Sequence, residues 1–393
     1  MNESGKPKPG VSDVAAFFDG GRLTLARHLA GLRKNALAHR VGKTPTAIAG
    51  YESGNTRPSA ATVAQLSLAL GVEAGFFAAR PLDLQATSGV PHFRSLRSTT
   101  QIARDQAHAY GLLAADVAVT FENYVEFPGR DIISYPVSID DSLGTGPEEA
   151  ARETRKHFAL EPGRVPHLVR LMEHRGVLTV FSPLQAAPID AYSIDTQVRP
   201  VILLNPLKQD HYRQRYDAAH ELGHLIMHLD AEPGSHVVEE QANRFAAEFL
   251  MPGDEIIGSL PHKADWLALG RLKESWGVSI QALLFRARRL GIMSDVTYRN
   301  AMAYMSSRGW RRQEPGLMPS VEQPSLLPRA IEILSDAGID QAVLMETCRV
   351  PANLFRVITS RAPAVDGTDL LPSRDNGNDE LAVKSLRHIS RSL

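Results

Sequence analysis

Two histidines, His220 and His224, stand four residues apart with Glu221 directly after the first. Glu239 and Asn243 follow fifteen and nineteen residues beyond the second. On a helix, residues four apart lie one turn from each other, so both imidazoles can reach a single metal ion. Glu221 points elsewhere, close to a water on that metal but not onto the metal itself. Zn²⁺ held this way makes hydroxide at neutral pH, with the glutamate taking the proton. The chemistry is that of a metal-dependent peptidase, with Glu221 as its catalytic residue.

The alternative is a solvent-facing helix whose histidines merely cap or pair. Leu222, Gly223, Leu225, Ile226 and Met227 make the segment largely apolar, which predicts burial. Two buried histidines flanking a glutamate need a polar partner or a metal. A third histidine ligand six residues after the second is absent. His228, four residues on, sits one turn further along and is expected to support a ligand or face solvent.

An acidic ligand from the next helix fits better. Glu239 and Asn243 share a face, so Glu239 can complete a His₂Glu site while Asn243 hydrogen-bonds a ligand imidazole and fixes its tautomer. Glu240 lies about 100° round the helix and fits less well. Glu248 is read as a surface residue. Two nitrogens and one carboxylate suit Zn²⁺ best, with Mn²⁺ and Fe²⁺ also compatible in ligand type. An extended substrate could pair with the strand Arg199–Asn205 if that strand lies at a sheet edge. Tyr212, Tyr216 and His228 are the candidate oxyanion donors, each more readily explained by packing.

The positioning elements follow from periodicity. Helical spacing from Val11 to Phe77 is broken at glycines and Pro58, which predicts five short helices. A long helix is expected over about Thr99–Tyr124, another at 148–159, and strands in VLTVF and VRPVILLN between Val177 and Asn205. The metal helix runs over Tyr212–Leu229, its partner over Val238–Leu250, and two helices flank Trp276-Gly277 within 264–291. A helical pair is expected at 328–360, and Arg286, Arg288 and Arg289 read as a solvated helix face. The fold class is α+β and mainly helical. The expected divisions are a disordered leader (1–10), a first domain (11–80), a linker (81–98), the metal domain (99–295), a helical extension (296–365) and a disordered tail (366–393).

The formal net charge of −1 conceals an asymmetry: residues 1–100 carry 12 Lys/Arg against 6 Asp/Glu. A basic first domain invites a phosphate-bearing partner. Cys348 is the single cysteine, which excludes an intramolecular disulfide and a thiolate zinc cluster. A polar N-terminus and the lack of long apolar runs predict a cytoplasmic protein without a membrane partner.

HELGHLIMH followed by EEQANRFAAEFLMP, with VILLN before and WGVSIQALLFRARRLG after, resembles the ImmA/IrrE family of bacterial zinc-dependent metallopeptidases over about residues 165–295. The resemblance implies a gluzincin-like core that cleaves a regulatory protein. Gln241 departs from it, since such proteins commonly carry Glu there.

The stretch from Gly20 to about 78 resembles the phage-repressor helix-turn-helix (Cro/cI-like, XRE) domain, with Leu37-Ala38, Val41-Gly42, Ile48, Glu52-Ser53-Gly54 and Pro58 where that pattern expects them. Helix two is expected over Arg33–Arg40 and helix three from Thr44 or Pro45 to Ser53. The resemblance implies operator DNA binding, with the start of helix three in the major groove. Lys43, Thr44, Thr46, Ala47 and Gly50 are then the exposed candidates, and Arg33 and Lys34 candidate phosphate contacts. A homodimer is compatible with such a domain.

Together these readings predict a DNA-binding regulator with zinc-dependent endopeptidase activity against a repressor, antitoxin or toxin. The competing reading is a non-proteolytic repressor or antitoxin whose metal domain binds or senses a partner.

Overall fold

A computed structural model describes residues 11–79, 92–93, 100–140, 144–183, 190–196, 198–228 and 235–362. The expected leader and tail, and most of the expected linker, lie outside the described residues. Five helices open the chain: Val11–Ala16, Gly20–Leu29, Lys34–Arg40, Pro45–Glu52 and Ala60–Leu70. Their boundaries follow local chemistry. Asp19, Thr44 and Ser59 accept hydrogen bonds from backbone N–H groups at three of the helix starts, and Gly71 closes the last helix in the left-handed region.

The helix Gln101–Phe121 comes next and is buried along most of its length. It forms the spine between the first domain and a four-stranded sheet. The strands are β1 (His92–Phe93), β2 (Leu178–Phe181), β3 (Ala191–Asp195) and β4 (Pro200–Leu204). Their order is β1-β3-β4-β2, with β2 parallel to β4 and the other pairings antiparallel.

Strand alternation divides two cores. Leu178, Val180, Tyr192, Ile194, Val201 and Leu203 join the helix Gln101–Phe121 and the first domain. Phe181, Ala191, Ile202 and Leu204 face the opposite way, with Ala218, Leu222 and Ile226 of the metal helix. The spine approaches the sheet so closely that a Cβ at Gly111 would overlap the Ile194 side chain.

VILLN is therefore not an edge strand. β4 is central and buried throughout, and the edge on the side of β3 is taken by β1. An unbroken apolar run is the pattern of a strand covered on both faces. β3 itself lies where only turns were expected.

The first domain is docked on the rest of the protein. Arg22 pairs with Asp116 at 2.8 Å, both almost fully buried, and Gln106 donates to Leu29 O at 2.8 Å. Arg349, from the C-terminal region, donates to Ala78 O at 2.8 Å. That region forms three short helices, Leu326–Asp336, Gln341–Cys348 and Ala352–Ile358, where a pair was expected.

Residues 314–326, which have no helical pattern before Leu326, strap across the metal helix through specific polar contacts. Glu314 accepts from the Ile280 and Gln281 amides, Tyr212 Oη donates to Leu317 O, and His211 Nδ1 meets Ser320 O at 2.8 Å. Glu173 accepts from the Ser325 and Leu326 amides and so caps the next helix; burial pushes its carboxyl up to about 7. No helix among the described residues is long and apolar enough to cross a membrane.

Candidate metal centre and helix-turn-helix surface

The metal helix, His211–Met227, starts where the Asp210 carboxylate accepts the Tyr212 and Arg213 amides. Its partner, His236–Leu250, crosses it at Gly223, where a Cβ would stand 2.8 Å from Phe245 Cδ1. A side chain there would push the helices apart, so the glycine inside HELGH sets how near Glu239 can come to the histidines.

His220, His224 and Glu239 converge with their ligating atoms all within 4.8 Å of one another. His220 Nε2 and His224 Nε2 are 3.0 Å apart, and the Glu239 oxygens lie 3.3 and 3.7 Å from them. A tetrahedral zinc site with bonds of about 2.0–2.1 Å has edges of roughly 3.3–3.4 Å, which this triangle approximates. Both Glu239 carboxylate oxygens are buried without a hydrogen-bond donor among the described residues. Such groups are costly to bury unless something cationic meets them, and the donor set therefore fits a divalent ion.

The tautomers agree with that fit. Asn243 Oδ1 lies 3.2 Å from His220 Nδ1 and, as an acceptor, holds a proton there. For His224 the argument runs outward through two residues. Gln241 Nε2 donates to Ser138 O at 2.8 Å, which turns Gln241 Oε1 toward His228 Nε2 at 2.9 Å. His228 then carries its proton on Nε2 and accepts at Nδ1, 3.1 Å from His224 Nδ1, so His224 donates there. Both ligand histidines keep their Nε2 lone pairs for the centre, and neither can donate to the other.

His228 is thus buried and hydrogen-bonded to His224 rather than facing solvent. The Gln241 departure does not disturb the triad but orients it. Leucine at position 241, which removes the acceptor, is expected to weaken zinc binding by roughly 10–100-fold with all three ligands intact. Competition against a chromophoric chelator measures this, and unchanged affinity would show that the relay is idle.

Glu221 is 1% exposed and points toward the sheet, where Ser193 Oγ of β3 donates to its Oε2 at 2.8 Å. Nothing in the sequence pattern singled out Ser193. Its position on the pleat opposite Tyr192 and Ile194 is the only local signal, and β3 had to be recognised first. The Tyr212 and Tyr216 hydroxyls are engaged with the Leu317 and Asn243 carbonyls, in line with packing.

Two surface expectations are corrected. Glu248 is buried, 3% exposed, and paired with Arg286 and Arg152. Arg286 is itself buried, while Arg288 pairs with Asp295 and Arg289 with Glu148 and Glu240. Only Arg286 departs from the solvated face, since Arg288 and Arg289 are exposed at their ion pairs.

In the first domain, helix two begins at Lys34 and helix three spans Pro45–Glu52, capped by Thr44. Lys43, Thr44 and Thr46 are exposed, as is Arg33, while Ile48 is buried. Lys34 pairs with Glu52 at 3.2 Å. Glu52 also holds Arg27 at 2.5 Å, so the start of helix two is tied to the end of helix three. Ala47 and Gly50 are half-buried rather than exposed, because Thr56 packs on Gly50, where a Cβ would meet its hydroxyl at 2.6 Å.

Comparison with known families agrees with this division. Residues 24–77 match the helix-turn-helix family, and residues 172–288 match the IrrE N-terminal-like domain family of metallopeptidases. No curated protein matches the chain. The chain thus carries a segment similar to XRE-type helix-turn-helix domains followed by a segment similar to the IrrE N-terminal-like domain.

Proposed function

We propose that this chain is a DNA-binding regulator whose second domain is a zinc-dependent endopeptidase acting on a repressor, antitoxin or toxin. The observation that carries it is the pairing of a metal-fitting triad with Glu221, a carboxylate that the triad does not use. A purely structural zinc site has no need of that glutamate.

His220, His224 and Glu239 would hold the ion, and the ion would supply Lewis acidity and a water of lowered pKa. Ser193 holds Glu221 through Oε2, and the Glu221 carboxylate would take the water proton and pass it to the leaving amine. Asn243 and the His228–Gln241 pair hold the imidazoles in the tautomers the reaction needs.

Comparing protein abundance in cells carrying the unmodified chain, Glu221→Gln and Glu239→Ala tests the reading. One regulatory protein is expected to persist intact in both variants, its cleavage slowed about 10²–10⁴-fold by Glu221→Gln. If Glu221→Gln behaves as the unmodified chain while Glu239→Ala loses function, the domain senses or grips its partner without cutting it.

For the DNA-binding face, the exposed Lys43 and Thr46 support contacts from the start of helix three. Alanine at both is expected to weaken operator binding by about tenfold or more and to flatten its salt dependence by about one charge. A gel-shift series over salt measures both effects, and an unchanged affinity would place the DNA on another face.

A further inference from the structure

β3 is the strand that touches the catalytic carboxylate, since Ser193 on it donates to Glu221. One side of β3 pairs with β4; the other is the sheet edge and pairs antiparallel with β1. β1 is two residues long, His92–Phe93, and lies between the helix-turn-helix domain and the spine helix. Its register sets His92 opposite Ser193 and Phe93 opposite Tyr192. His92–Phe93 therefore lie along the edge, opposite the residue that holds the base.

We propose that this edge of β3 is a peptide-binding surface and that β1 is its resident occupant. An extended peptide would add to β3 beside Glu221 only by displacing His92–Phe93. The partner class follows from the exchange: an extended segment offering backbone N–H and C=O groups, recognised by β-augmentation. Because the displaced strand belongs to the connection between the domains, peptide entry is coupled to release of that connection. The inference rests on reading the triad and Glu221 as a peptide-cleaving centre, but binding to β3 can be measured without cleavage.

The probe is a fluorescently labelled synthetic peptide with the sequence of residues 88–97, SGVPHFRSLR, and the protein is the full zinc-loaded chain carrying Glu221→Gln. Adding His92→Pro and Phe93→Pro removes the β1 amide that can pair with β3, whichever of the two it is, and is expected to tighten probe binding at least tenfold. Equal affinity in the two chains would overturn the proposal. A second measurement needs no linker substitution: saturating probe should expose to hydrogen exchange the one amide of His92–Phe93 that faces β3, while Tyr192 and Ser193 stay protected. Continued protection of that amide would show that β1 is a permanent strand. If the exchange occurs but the chain with Glu221 intact leaves the probe uncut, the edge is a binding surface and the peptidase reading is the one that fails.

Discussion

Alanine at Glu239 is expected to lower zinc affinity by roughly 10²–10³-fold while leaving the metal-free protein as stable as before, or slightly more so. The two effects differ in sign because the carboxylate has opposite roles in the two states. With an ion present it is one of three protein ligands. Zinc binding to a full ligand set is worth about 10–16 kcal/mol, which puts one ligand at roughly 3–4 kcal/mol. Without an ion its two oxygens are buried against imidazole nitrogens with no donor among the described residues, so deleting them removes a desolvated charge. Thermal unfolding with and without zinc separates the terms. The unmodified chain should gain about 2.7 kcal/mol at a zinc concentration a hundred times its Kd, and the variant should gain almost none there. A variant that keeps the zinc-induced shift would remove Glu239 from the ligand set. Glu221→Gln should retain the shift in full, since the metal geometry assigns it no ligand role.

The metal centre was largely legible in the sequence, and the reason is physical. Polar residues at helical spacing inside an apolar helix cannot be satisfied locally, so His220, His224 and Glu239 declared their need for one another. The five N-terminal helices were legible for a similar reason: glycines, Pro58 and capping residues mark each boundary within a few positions. What failed to show was whatever depended on partners distant in sequence. Glu248 reads as a surface residue on its own helix, and only the fold brings Arg286 to it from 38 positions away. β3 was missed because AYSID is five residues long and its apolar positions alternate with Ser193. Substrate pairing along Arg199–Asn205 was conditional on an edge position, and the sequence held the sign against it: five consecutive residues with no polar face describe a central strand. The strap at 314–326 has no periodicity at all, and its contacts are single side chains meeting backbone groups.

That strap supplies the largest stability effect expected from one substitution. Glu322→Ala should destabilise the protein by about 3–5 kcal/mol, because it strands the Arg215 guanidinium in the interior. Arg215 lies on the metal helix with its side chain fully buried. Its Nε donates to Gly277 O at 3.0 Å and one terminal nitrogen to Val165 O at 2.6 Å, while the other pairs with Glu322. Glu322 in turn accepts the Val169 amide at 2.8 Å, and its own backbone is gripped on both sides by the Gln214 amide. Removing the carboxylate therefore leaves both a charge and an N–H unmet. Lysine at 215 would not rescue the arrangement, because a single ammonium cannot serve three separated acceptors as the planar fork does. The double variant Arg215→Met, Glu322→Leu separates the contributions. It should recover the part due to the stranded charge but not the parts due to the Val169 amide and to the Gly277 and Val165 carbonyls that lose their Arg215 donors, so its stability falls between the unmodified chain and Glu322→Ala. Urea unfolding followed by tryptophan fluorescence gives the three midpoints. If the single variant unfolds at the same urea concentration as the unmodified chain, the strap does not anchor the metal helix. If the double variant is no more stable than the single, the buried charge is not what the strap neutralises.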